Sequence, residues 1–173
     1  MKTLILGGVR SGKSRLAERL AAESALPVTY VATATADDEE MRERIAAHRA
    51  RRCGNWTVIE EPQRLAATLA DHGVAGHCIL VDCLTLWLTN LLTAEDATLF
   101  DRERAALLTV LPTLASQIIL VSNEINMGVM PLGNLSRRYC DEAGRLHQEL
   151  AQVCDRVILM VAGLPQILKG DPF

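Results

Sequence analysis

Aromatic residues are scarce: Phe, Trp and Tyr together make up 3% of the 173 residues. The core must therefore be aliphatic, and a nucleic-acid surface built on stacking rings is disfavoured. No CxxC pair occurs, and the five cysteines (Cys53, Cys78, Cys83, Cys140, Cys154) are odd in number. That argues against a structural zinc site and against a disulfide framework. The cysteines read as free thiols, most of them packing residues. No uncharged apolar stretch is long enough to cross a bilayer. The start, MKTLILGG, has one Lys and a short apolar run, too little for a signal peptide, so a cytoplasmic protein is expected. The formal net charge of −3 gives no global attraction to a polyanion. Internal repeats, low-complexity tracts and linkers are also missing. What remains is an ordinary soluble composition, 49% hydrophobic and 23% charged, long enough for one compact domain spanning residues 1–173.

Strand and helix patterns alternate along the chain. Strands are expected at Thr3–Leu6, Val28–Ala32, Trp56–Glu60, Cys78–Val81, Gln117–Val121 and Val157–Val161, the last clear one. Helices are expected at Ser14–Ala25, Asp37–Arg52, Pro62–Ala70, Leu84–Leu92, Asp101–Leu114 and Ser136–Val153. Acidic residues open the second of these and arginines gather toward its end, as the helix dipole favours. Asn126–Asn134, with two Gly, two Met and a Pro, reads as a loop. The alternation predicts an α/β fold with a mostly parallel central sheet.

Gly7-Gly8-Val9-Arg10-Ser11-Gly12-Lys13-Ser14 fits GxxxxGK[ST], with an apolar strand before it and a helix after it. Glycines let successive N–H groups turn inward around a phosphate, and the following helix N-terminus faces the same anion. Lys13 reaches the β- and γ-oxygens, and the Ser14 hydroxyl is the expected Mg²⁺ ligand. The fold is thus expected to be a P-loop NTPase-like three-layer structure. Arg10 either lies over the phosphates or faces solvent.

A carboxylate is needed to hold the metal from the other side. Asp82, ending the Cys78–Val81 strand, suits that task, and as an alternative caps the next helix. Glu124 follows another strand on the same expected edge. Ligands bind at the carboxyl ends of open α/β sheets, so Lys13, Asp82 and Glu124 are expected to converge. An NKxD base-reading motif is absent, which argues against a GTPase switch. The chain size fits a small-molecule kinase, a nucleoside-type kinase being the generic expectation.

Five phrases in order narrow this further: GGVRSGKS; YVATATADDEEMRERIAAHRARR followed by WTVIEEP; VDCLTLWLTNLL; VSNEINMGVMP; and RRYCDEAGRLHQELAQVCDRVILMVAGLP. Over nearly its full length the chain resembles the bifunctional adenosylcobinamide kinase / adenosylcobinamide-phosphate guanylyltransferase family. The resemblance implies phosphorylation of adenosylcobinamide with ATP or GTP. GMP then passes from GTP to the new phosphate through a guanylylated histidine, giving adenosylcobinamide-GDP and pyrophosphate. It implies a corrinoid substrate and a homotrimer. The matching histidine is His48. The other reading is a P-loop kinase of another small hydroxyl-bearing metabolite, with no covalent intermediate.

On its own chemistry His48 lies in a basic stretch, with Arg44 and Arg52 four residues to either side and Arg49 and Arg51 between. A neutral imidazole can attack an α-phosphorus while guanidiniums offset the growing oxygen charge and favour the neutral ring. The plain alternative is a surface histidine with ordinary behaviour. Glu60 and Glu61 lie near the guanosine in the family; a carboxylate suits guanine or ribose donors, and a solvated helix start is the other reading. Thr33, Ala34 and Thr35 follow the second strand and are expected to line the same pocket. His72 and His77 flank a Gly-containing turn and read as structural or solvent-facing. His147 stands where the family commonly has Asn, and reads as helix packing. The corrinoid pocket has no sequence signature; Ile125–Asn134, with Met127 and Met130, reads as a wall of it, a lid or a subunit contact.

Overall fold

The computed structural model describes residues 1–34 and 56–171. The expected helix at 37–52 lies outside them, and with it His48, Arg49, Arg52, Thr35 and Cys53. The described elements run β1 (Lys2–Gly7), α1 (Lys13–Glu23), β2 (Val28–Ala32), β3 (Thr57–Glu60), α2 (Leu65–His72), β4 (Cys78–Asp82) and α3 (Leu84–Leu92). They continue with α4 (Leu99–Val110), a 3₁₀ turn (Leu111–Thr113), β5 (Gln117–Asn123), α5 (Asn134–Val153), β6 (Arg156–Val161) and β7 (Leu164–Lys169).

These strands form one seven-stranded sheet in the order β3-β2-β4-β5-β1-β6-β7. Every neighbouring pair is parallel except β6 with β7. The central strands are near-continuous aliphatic runs because both of their faces are covered. Side chains alternate between the faces. Leu4, Leu6, Ile79, Val81, Ile118 and Leu120 share a core with α2–α5. Ile5, Leu80, Ile119 and Val121 meet Leu16, Ala17 and Ala21 of α1 on the other face. Helices on both faces of the sheet make three layers. Trp87, fully buried, donates its indole N–H to the Gln63 carbonyl at 2.8 Å, so the rare aromatic brings its own polar partner inside.

The described cysteines Cys78, Cys83, Cys140 and Cys154 are free thiols. No helix among the described residues is long and apolar enough to cross a membrane. Three local readings change. The helix expected from Pro62 starts at Leu65, because the Glu61 carboxylate takes the N–H groups of Gln63 (2.8 Å) and Arg64 (2.7 Å) and holds Pro62 and Gln63 in the turn before it. The helix expected through Leu114 ends at Val110, and Pro112 lies in the 3₁₀ turn that follows, since a proline cannot donate to an α-helical ladder. Beyond the last expected strand, Ala162 (φ 51°) and Gly163 (φ 82°) turn the chain back into the antiparallel edge strand β7.

Candidate functional site

β1 lies between β5 and β6, so the loop leaving it emerges among the carboxyl ends of its neighbours. Gly7 has φ 153°, and a Cβ there would come within 2.5 Å of the Met160 carbonyl of β6. Gly12, at φ 98°, holds the left-handed turn into α1 that a side chain would strain. The loop closes on itself through Ser11 N–H to Gly8 O (3.2 Å), and Gly163 N–H donates to Ser11 O at 3.0 Å. The β6–β7 turn therefore buttresses the loop from below. Arg10 is exposed and also adopts positive φ, at 56°. The Ser11 hydroxyl is buried without a hydrogen-bond partner. α1 has no side-chain cap on its first N–H groups, which suits a helix that meets an anion.

Lys13 is buried at 7% exposure, and its ammonium donates to Gly8 O at 2.7 Å. Burial holds its pKa below the usual value, and the nearby Asp82 charge opposes the shift. Asp82 thus stands beside the loop lysine, on the α1 face of the sheet. Strand parity explains the placement: Tyr30 pairs with Leu80, both in the α1-side core, and Asp82 is two residues further on. The Tyr30 hydroxyl donates to Asp82 Oδ2 at 2.9 Å. Asp82 does not cap α3, whose N-cap is Cys83, with no side-chain hydrogen bond. Burial and Asp82 push the Cys83 thiol up to about 11, so it stays protonated.

The donor set suits magnesium. The Ser14 hydroxyl and the Asp82 carboxylate are hard oxygen donors at the phosphate loop. Mg²⁺ in such sites takes only one or two protein ligands, the rest being phosphate and water. Among the described residues no cluster of three or more His, Cys, Asp or Glu forms a protein cage, and this mode needs none.

Glu124 takes a different orientation. Its backbone N–H donates to Gly7 O at 2.9 Å, so it adjoins the start of the phosphate loop. Its carboxylate, however, accepts from Asn126 N–H at 2.7 Å and lies 3.7 Å from Nδ1 of His147 on α5. His147 is buried, and its Nε2 is 2.8 Å from the Ser122 hydroxyl. Burial lowers its pKa, against the raising effect of Glu124. Lys13 and Asp82 are therefore brought together, whereas the Glu124 carboxylate belongs to a group formed by β5, α5 and the loop after β5.

Thr33 is fully buried; its hydroxyl donates to Cys83 O (2.6 Å) and accepts from Cys83 N–H (2.9 Å). Its carbonyl accepts from Asn90 Nδ2 at 2.9 Å, so Thr33 anchors the segment carrying Asp82. Ala34 is half-buried beside it, and Glu60 is exposed at the end of edge strand β3. Glu61 takes the turn N–H groups described above. Sequence reasoning overlooked Tyr30, whose signal was its shared parity with Asp82. It also overlooked Thr85, whose hydroxyl accepts from Asn123 N–H at 2.8 Å; that contact carries no local pattern.

Among solved structures the chain is similar to the RadB recombinase, with a TM-score of 0.53, 17% identity, and coverage of 91% of this chain and 73% of that one. It is also similar to protein PH0250 of Pyrococcus horikoshii, with a TM-score of 0.55, 11% identity, and coverage of 99% and 87%. At these identities the likeness speaks for the fold. The sequence is more telling. It is 64% identical over 172 residues to the bifunctional adenosylcobalamin biosynthesis protein CobP of Pseudomonas aeruginosa, covering 99% of both chains. It is 36% identical over 182 residues to the protein CobU of Salmonella typhimurium, covering 98% of this chain and 100% of that one. The family pattern of cobinamide kinase / cobinamide phosphate guanyltransferase matches residues 3–168, from β1 through β7. With that match running over the phosphate loop, Asp82 and the buttressing hairpin alike, the chain belongs to the cobinamide kinase / cobinamide phosphate guanyltransferase family.

Proposed function

We propose that residues 1–173 act as one P-loop domain that runs the family's two reactions in turn, on adenosylcobinamide and then on its phosphate. The observation that carries this reading is the phosphate loop itself, with buried Lys13 bonded to Gly8 O and Asp82 near it, within a chain matched to the family nearly end to end. In the first reaction the aminopropanol hydroxyl oxygen attacks the γ-phosphorus of ATP or GTP. The β–γ bridging bond breaks, and the nucleoside diphosphate leaves. The N–H groups of Gly7–Ser14 hold the triphosphate, Lys13 offsets charge on the β- and γ-oxygens, and Arg10 lies over the phosphates. Ser14 and Asp82 hold magnesium, which when bound supplies further charge neutralisation at the phosphates. Glu124, next to Gly7, orients the acceptor end of the substrate.

In the second reaction a ring nitrogen of His48 attacks the α-phosphorus of GTP, and pyrophosphate leaves. A phosphate oxygen of adenosylcobinamide phosphate then attacks the same phosphorus. The P–N bond breaks, His48 is restored, and adenosylcobinamide-GDP is released. Arg49 and Arg52 stabilise the phosphoryl oxygens. Ala34, Thr35, Glu60 and Glu61 border the guanosine, and Thr33 anchors the segment that carries Asp82. The reading includes a cytoplasmic homotrimer. Incubating the pure protein with adenosylcobinamide, Mg²⁺ and GTP, and identifying products by mass, tests it. Adenosylcobinamide phosphate, then adenosylcobinamide-GDP with pyrophosphate, is expected. Phosphate transfer alone, to this or another hydroxyl compound, would reduce the protein to a simple kinase.

A further inference from the structure

A cavity of about 360 Å³ opens between the loop after β5 and the outer side of α5. Ile125, Asn126, Val129 and Met130 form its loop side, and Asp141, Arg145 and Gln148 its helix side. A second, largely apolar cavity of about 440 Å³ lies beyond it, bordered by Leu92, Leu135 and Tyr139. The two share Ile125, Pro131 and Cys140, so they form one continuous surface. Large hydrophobic residues are exposed here in unusual density. Six of the thirteen such residues on the described surface fall between positions 125 and 135, and four of these, Ile125, Val129 (98% exposed), Met130 and Leu135, line the two cavities. A patch of this kind normally meets an apolar partner.

Two features join this surface to the phosphate loop. Glu124 N–H is bonded to Gly7 O at 2.9 Å, and the Glu124 carboxylate holds Asn126 N–H at 2.7 Å. The Asn126 amide in turn lies on α5, donating to Cys140 O at 3.2 Å. Gly144 permits this, because a Cβ at that position would come within 3.0 Å of Asn126 Nδ2. The floor of the cavity is thus continuous with the edge where a γ-phosphate is transferred.

We propose that this surface is the corrinoid subsite, with the macrocycle against the apolar loop and its carboxamide arms along α5. The proposal rests on the reading that the chain phosphorylates adenosylcobinamide. A corrinoid is amphipathic, with apolar ring faces and a rim of primary amides, each able to donate and accept. Asp141, Arg145 and Gln148 fall at i, i+4 and i+7, on one side of about 10 Å of helix. They offer an acceptor, donors, and both together. Arg145, 64% exposed and paired with Glu142 at 3.0 Å, keeps free donors for a ligand. Neither cavity encloses a whole corrinoid, which suits a substrate that presents one arm to the phosphates and rests the remainder on the surface. A second copy of this chain would match the hydrophobic loop but not the mixed donors and acceptors of the helix.

Equilibrium dialysis with adenosylcobinamide, followed by its visible absorbance, tests the assignment. Wild type is compared with Val129→Asp and Arg145→Ala, each first checked for GTP binding, which reports an intact phosphate loop. Each substitution is expected to raise the corrinoid Kd by roughly tenfold or more, as loss of a central contact does. Unchanged corrinoid affinity in both variants would overturn the subsite. So would a change in sedimentation of Val129→Asp relative to wild type, since the patch would then be a contact between copies. Failure of wild type to bind or phosphorylate adenosylcobinamide would instead overturn the proposed function on which the subsite rests.

Discussion

Asp82 and His147 stand at opposite faces of the sheet edge, and their surroundings set them to different tasks. Asp82 accepts a hydrogen bond from Tyr30 at 2.9 Å, near the buried Lys13. Asp82→Asn is expected to lower the turnover of both reactions by roughly 10²–10³-fold, the usual loss for a charge-stabilising group. Tyr30→Phe removes only an orienting bond, worth about 1 kcal/mol, and should raise the Mg²⁺ requirement by less than about tenfold. Steady-state rates across a Mg²⁺ titration separate the two. His147, by contrast, is a neutral core residue whose pKa burial lowers from 6.5. The unfolded chain therefore binds a proton at higher pH than the folded one. Stability is fully present above the unfolded value and falls as pH drops through it toward the lower folded value. Urea unfolding of wild type should weaken between pH 7 and 5, and the part of that loss due to this residue should be absent in His147→Gln, which keeps a partner for Ser122.

α5 shows how an edge strand contributes to stability while giving little sign of itself in sequence. Lys169 of β7 donates to three carbonyls at the end of α5: Ala151 (2.8 Å), Gln152 (3.0 Å) and Cys154 (2.7 Å). It satisfies orphan acceptors and places a cation at the negative end of the helix dipole. Lys169→Met should cost about 1–2 kcal/mol, read as a lowered Tm, while the neighbouring exposed Leu168→Ala should cost much less. β7 itself was illegible because Pro165 and its exposed side chains break the strand pattern, and because its positive-φ turn begins with Ala162 instead of glycine. The central strands were legible, since burial on both faces demands unbroken aliphatic runs. The phosphate loop was legible because its glycines answer to backbone geometry. The partners of Glu124 were not: only the tertiary fold brings its carboxylate to Asn126 and His147.

At the scale of the molecule, a seven-stranded sheet brings its parallel carboxyl ends to one edge, where the phosphate loop, Asp82 and the loop after β5 all emerge. That single edge lets one small chain serve two phosphorus chemistries, provided a nucleophile can be brought to the α-phosphorus. The proposed second chemistry turns on His48, whose ring nitrogen must come within about 3–3.5 Å of that phosphorus for attack. The most direct test uses GTP labelled at the α-phosphorus. Wild type and His48→Asn are incubated with it and Mg²⁺, denatured, and examined for attached label. The account predicts label on wild type that is acid-labile, alkali-stable and absent from His48→Asn. A folded, GTP-binding wild type that acquires no label, or a His48→Asn protein labelled equally well, would contradict it.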